Sequence, residues 1–172
     1  GGTASKPGVK LQIMTTFGKT GVAGFAEAIT YGADNGAAIT SNSWGYTSPN
    51  VWDPSIKAAI DYFNAQGNNG KGGIVVFAAG NSDSDAAYYP GYYGTDRYHG
   101  TVSVASTTHS LQRSGFSNYG SWVDIAAPGS NIQSTCLGQS YCKMSGTSMA
   151  CPLVSGILGL IWSHNPELSR KK

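Results

Sequence analysis

Charge is scarce in this sequence. Asp, Glu, Lys and Arg supply 12% of the 172 residues, and the net charge of +2 gives no field strong enough to recruit nucleic acid or an anionic membrane, so neither is expected as a partner. Long apolar runs are missing as well. The longest, residues 153–162, is about half of the ~20 residues a helix needs to cross a bilayer, and it predicts a buried helix instead. Cysteine is limited to Cys136, Cys142 and Cys151, which match neither the paired spacing of zinc sites nor a redox C-x-x-C, so no metal is assigned. The start, Gly-Gly-Thr-Ala-Ser, offers no initiator Met and no charged-then-apolar leader, so the chain is expected to be a processed product or a piece of something longer.

What is present points to a compact enzyme-like body. Glycine is abundant at 24 residues but shows no repeat, and 40% of residues are hydrophobic, a balance that belongs to a turn-rich globule and not to a disordered chain. The length suits one domain, residues 1–172, without metal or disulfide staples. A short apolar run at residues 9–14 predicts a strand, and residues 22–35 place Val22, Phe25, Ala26 and Ile29 at helical spacing before a Gly-Ala-Asp-Asn-Gly stop. Residues 37–42 read as a second strand. Asp53 and Pro54 supply a cap and a first-turn proline to a helix whose inward stripe is Ile56, Ala59, Ile60 and Phe63. Residues 73–79 form an apolar strand of the kind buried on both faces of a parallel sheet. Alternating strands and helices imply an α/β three-layer sandwich, with a mostly parallel sheet and helices on both faces.

Residues 80–100 are polar, glycine-rich and tyrosine-rich, which predicts a long functional loop over the sheet edge. Strands at 101–105 and 123–126, a hairpin over 132–144 and a helix over 149–164 follow. That helix is apolar on all sides and is expected to be central, with Gly156 and Gly159 allowing close approach of neighbours. Cys136 and Cys142 flank Leu-Gly-Gln-Ser-Tyr, a tight turn across which antiparallel neighbours can reach the ~5.5 Å Cα separation of a disulfide. A bridge and two free thiols both stay open. Cys151, among apolar residues at a helix start, reads as a buried small hydrophobe.

Three segments carry candidate chemistry. Ser148 lies in Ser-Gly-Thr-Ser-Met-Ala-Cys-Pro, just where a helix begins and where free amides and the positive helix end favour developing negative charge. A lone serine there would be a helix cap. Asn81 follows Val-Val-Phe-Ala-Ala-Gly at the carboxyl end of a buried strand, where open α/β sheets place ligand-contacting groups; taken alone, Gly-Asn is ordinary turn chemistry. The third segment is Ser-Asn-Ser-Trp-Gly, residues 41–45, whose small residues let an extended peptide lie against the backbone.

Together these motifs resemble the subtilisin-like serine proteases. Residues 41–45, 80–82, 127–129 and 145–152 occur in that family's order and spacing, and the resemblance runs from about residue 9 to residue 165. It implies that Ser148 is the acylating serine, and that Asn81 is the side-chain donor to the tetrahedral oxyanion beside the backbone amide of Ser148. It also implies a subtilisin-like fold, truncated on its amino-terminal side, and a peptide or protein substrate. The substrate site it implies comprises Ser43, Trp44, Gly45, Ala79, Gly80, Tyr88, Gly146 and Thr147. In many relatives glycine occupies the place of Tyr88, so a phenol there is expected to fill the pocket floor and favour small residues before the scissile bond. The resemblance also implies a cis Tyr89–Pro90 bond, since the family carries a cis proline in the corresponding Tyr-Pro turn, and proline is the residue where cis costs little.

The family's Asp and His precede its oxyanion Asn in sequence, and no matching pair lies upstream of Asn81 here. His99-Gly100-Thr101 repeats a family motif in the wrong place, and His109 and His164 read as surface or capping residues. The segment alone is therefore expected to be inactive, with the missing amino-terminal part of the catalytic domain as its partner. The uncovered apolar helix makes a homo-oligomer the alternative occupant. A G-x-S-x-G hydrolase is set aside because Ala150 ends the motif and too few residues follow for its Asp and His. A pseudoprotease or binding module is the alternative function. No cofactor is required chemically. Structural calcium is common in the family, but Asp83 and Asp85 make no recognisable ligand spacing. A secreted or cell-envelope location follows from the resemblance and from a Cys136–Cys142 bridge.

Overall fold

The computed structural model describes residues 9–17, 23–95 and 100–168. His99, Val22 and the terminal Lys-Lys lie outside the described residues. Four parallel strands, β1 (Ile39–Asn42), β2 (Ile74–Ala78), β3 (Val102–Thr107) and β4 (Ile125–Pro128), form one sheet in the order β1-β2-β3-β4. Helices α1 (Ala23–Asp34) and α2 (Pro54–Gln66) cover one face and α3 (Thr147–His164) the other, as expected for the three-layer α/β sandwich. β5 (Ile132–Cys136) and β6 (Ser140–Met144) form the antiparallel hairpin.

β2 shows how the sequence builds the layers. Its side chains alternate across the sheet, so Val75 and Phe77 enter the core beneath α1 and α2 while Val76 joins Val104, Ala127, Ala150 and Val154 beneath α3. Asp53 caps α2 as read from the sequence, its Oδ1 accepting from Ser55 N–H at 2.8 Å and Ile56 N–H at 3.3 Å. Ile56, Ala59, Ile60 and Phe63 are all buried. Phe63 is fully enclosed, and its truncation to Ala would cost about 3–5 kcal/mol.

Two expectations change. Residues 9–14 form no strand, because no backbone ladder runs beside them among the described residues, and Leu11 and Ile13 remain 80% and 88% exposed. The loop after β2 leaves the carboxyl edge of the sheet, as expected; it turns through a cis Tyr89–Pro90 bond into a short 3-10 helix, Gly91–Thr95, whose Tyr93 seals the α2 core. Lastly, α3 packs across all four strands but is buried on one face only, the other being the face expected to be left uncovered by the missing amino-terminal part. It buries Thr147, Ala150, Cys151, Val154 and Gly159 against the sheet, and leaves Leu153, Ile157, Leu160 and Ile161 exposed. Gly159 does admit a neighbour, since a Cβ there would lie 3.3 Å from Val9, but Gly156 has nothing within 4 Å.

Candidate active site

Ser43 just beyond β1, Asn81 just beyond β2 and Ser148 in the first turn of α3 converge at the carboxyl edge of the sheet. Parallel strands deliver their following loops to one edge, and α3 starts there with its amide end forward. Gly146 stands at the N-cap and offers no capping side chain. The first amide, Thr147 N–H, is taken by Asn81 Oδ1 at 2.9 Å, and Met149 N–H donates to Gly146 C=O at 3.0 Å. Ser148 N–H is left without an acceptor among the described residues, at the positive end of an 18-residue helix.

Asn81 is oriented by Thr147. The Thr147 hydroxyl accepts from Gly80 N–H at 3.1 Å and donates to Asn81 Oδ1 at 3.0 Å. Two donors therefore fix the Asn81 carbonyl oxygen inward, and Nδ2 must face the other way. It lies close to the Ser148 amide: a Cβ built on Gly146 would be 3.6 Å from Asn81 Nδ2, from Ser148 N and from Met149 Sδ.

Ser148 Oγ is half-buried and donates to Ser43 C=O at 3.3 Å. In return Ser43 Oγ donates to Ser148 C=O at 2.8 Å. That carbonyl would normally accept from the amide four residues on, but residue 152 is Pro and has no N–H. Pro152 thus frees the carbonyl that Ser43 uses. No imidazole among the described residues is bonded to Ser148; His109 and His164 are exposed.

A cleft of about 310 Å³ opens beside these atoms. Of the residues expected to hold substrate, Ser43, Trp44, Gly45, Ala79, Gly80, Tyr88 and Thr147 line it, together with Asn81 and Ser148. Gly146 is buried at its back. The Trp44 ring turns away into the α1 core, tilted against Phe25 at 4.3 Å and edge-to-face with Phe77 at 5.0 Å between centroids, with Nε1 donating to Asn42 Oδ1. The sequence reading missed Tyr46, Thr47 and Ser82 on the walls. Burial, then Asp53, whose carboxylate accepts from its hydroxyl, push the Tyr46 phenol up to about 12, so it is a neutral donor at neutral pH. It also missed Asn118, buried behind Asn81 in a Ser-Asn-Tyr-Gly turn that local chemistry marks only as a loop.

Cys136 and Cys142 form a disulfide with a Cα separation of 6.0 Å at the hairpin end. Cys151 is buried, and burial raises its thiol pKa above the ordinary value. Asp83 is ion-paired with Arg113 at 2.7 Å. Among the described residues no three His, Cys, Asp or Glu side chains cluster as metal ligands, and no helix is long and apolar enough to cross a membrane.

Comparison with known proteins agrees with this architecture. The chain is 40% identical over 170 residues to thermitase of Thermoactinomyces vulgaris, which covers 98% of the chain and 56% of thermitase. It is 32% identical over 166 residues to subtilisin Savinase of Lederbergia lenta, covering 95% of the chain and 57% of that protein. A solved structure described as a cold adapted subtilisin-like serine proteinase superposes with a TM-score of 0.72 at 32% identity, over 92% of this chain and 54% of that one. The chain thus spans about half the length of these relatives. With the profile of the subtilase family matching residues 3–172, the chain belongs to the subtilase family.

Proposed function

We propose that the protein containing this chain is a serine endopeptidase, and that Ser148 is its nucleophile. The observation that carries this reading is the closeness of Asn81 Nδ2 to the Ser148 amide, on the residue that carries Ser148 Oγ. Two neighbouring donors suit an oxygen that gains charge as a carbonyl becomes tetrahedral. An extended peptide lies along Ser43, Trp44 and Gly45 on one side and Ala79 and Gly80 on the other, with the residue before the scissile bond entering toward Tyr88. Ser148 Oγ leaves Ser43 C=O and attacks the carbonyl carbon, its proton passing to a base. The oxyanion forms between the two donors, the intermediate collapses with loss of the amine, and water releases the acyl group.

Neither described histidine reaches Ser148, and we assign the base to an imidazole of the remainder of the catalytic domain. Residues 1–172 alone should therefore be inactive, and should associate through the exposed face of α3, either with the remainder of the catalytic domain or with a second copy. No cofactor enters the chemistry. We further place the protein outside the cytoplasm, in keeping with the Cys136–Cys142 disulfide.

The test uses the full-length protein on a chromogenic peptide, comparing wild type with Ser148→Ala. Hydrolysis abolished by Ser148→Ala with retained peptide binding supports the reading. Absence of hydrolysis in the full-length wild type, with peptide still bound, would instead favour a pseudoprotease.

A further inference from the structure

Asn118 is fully buried and lines no part of the cleft, yet its side chain bonds only to the backbone that carries Asn81. Its Nδ2 donates to Ala79 C=O at 2.8 Å. Its Oδ1 accepts from Ser82 N–H at 2.8 Å and from Ser84 N–H at 3.3 Å. Its own N–H donates to Gly80 C=O at 2.9 Å. The residues on both sides of Asn81 are thus tied to one amide, while Asn81 itself is left to Thr147. The packing is close: Gly80 has φ of +104°, and a Cβ there would collide with Asn118 Nδ2. Asn118 is fixed in turn, Ser117 Oγ donating to its carbonyl at 3.0 Å while accepting from Ser106 N–H of β3 at 2.9 Å.

We propose that Asn118 is a positioning residue for Asn81, setting the turn at residues 79–82 so that Asn81 Nδ2 faces the same point as Ser148 N–H. The geometry favours an asparagine. A donor and an acceptor at the end of one short side chain serve Ala79 and Ser82 together, which no hydroxyl can do for partners on both sides of the turn. Asn81 is otherwise exposed at a loop tip, where a small displacement of the turn would carry its amide away from the oxyanion. The proposal rests on the reading of Asn81 as an oxyanion donor.

The experiment is a double-mutant cycle in the full-length protein, with kcat and KM measured on a peptide anilide for wild type, Asn118→Ala, Asn81→Ala and the double variant. Asn118→Ala is expected to lower kcat by roughly 10- to 100-fold with KM changed by less than about 3-fold, as for a displaced catalytic group. In the Asn81→Ala background the same change should cost less than about 3-fold, because the group it positions is gone. An unchanged kcat in Asn118→Ala, or the same loss in both backgrounds, overturns the proposal. If Asn81→Ala itself leaves kcat intact, the donor reading has failed and the proposal falls with it. Should Asn118→Ala not fold, Asn118→Ser completes the same cycle, with a smaller loss in kcat that must likewise vanish when Asn81 is removed.

Discussion

Ser43 and Ser148 hold each other through two reciprocal hydrogen bonds, Ser43 Oγ to Ser148 C=O at 2.8 Å and Ser148 Oγ to Ser43 C=O at 3.3 Å. The first exists because Pro152 leaves the Ser148 carbonyl without its helical partner. The second keeps the hydroxyl at the cleft wall. Ser43→Ala removes the first bond only, and is expected to lower stability by about 0.5–1.5 kcal/mol while leaving Ser148 able to react. Denaturant unfolding together with the peptide assay checks both parts; loss of activity beyond the loss of folded protein would assign Ser43 a further role.

Removing the Asn81 amide should cost turnover and not binding. Asn81→Ala is expected to lower kcat by about 10²–10³ with little change in KM, a magnitude carried over from subtilisin, where this donor was measured. Thr147→Val, which keeps the backbone N–H to Asn81 Oδ1 but loses the hydroxyl, should lie between wild type and Asn81→Ala in kcat.

Tyr88 lines the cleft and is half-buried there, so the full-length protein should prefer Ala or Ser over Phe or Leu before the scissile bond. Tyr88→Gly is expected to shift the ratio of kcat/KM for Phe against Ala toward Phe by at least about 10-fold, the lower end of what pocket volume discriminates. Profiling a peptide library reads this directly, and a wild-type preference for large aromatics contradicts it.

How much of this was legible in the sequence depends on how local each signal is. The α2 cap and its stripe could be read because Asp53, Pro54 and the 3.6-residue spacing act within one helix. Ser148 and Asn81 read as a helix cap and a turn residue when taken alone, and stand out only through the resemblance of their motifs to the subtilisin-like proteases. Asn118 could not be read, since its partners at Ala79 and Ser82 are distant in sequence and become neighbours only when β2 and β3 pair. The helix α3 was legible in part: an all-apolar helix signals burial but not which element provides it, and Ile157, Leu160 and Ile161 form the uncovered face expected where the amino-terminal part is missing.

Asp53 gives a pH signature to stability. Its carboxyl lies below the ordinary 3.8, first because Ser55 Oγ donates to it and then through the Ser55 and Ile56 amides and the Tyr46 hydroxyl, with burial opposing. A depressed folded value means the contribution is present above about pH 4 and fades as the pH falls through the lowered pKa. Asp53→Ala should lower stability by about 0.5–2 kcal/mol at pH 7, with the difference from wild type shrinking toward pH 2–3. An equal difference at pH 7 and at pH 2–3 would contradict the cap.

Cys151 should be inert in the folded protein. Burial raises its thiol pKa, so at pH 8 little thiolate forms and reagent access is blocked. Labelling with a thiol reagent at pH 8 should be slow in buffer and fast in denaturant; equal rates would place the sulfur at the surface.

The most direct measurement is reaction of the full-length protein with a fluorophosphonate followed by peptide mapping. The expected result is one adduct on Ser148, formed together with loss of peptide hydrolysis and absent in Ser148→Ala. Modification of another residue that abolishes hydrolysis, or hydrolysis that continues in Ser148→Ala, would contradict Ser148 as the nucleophile.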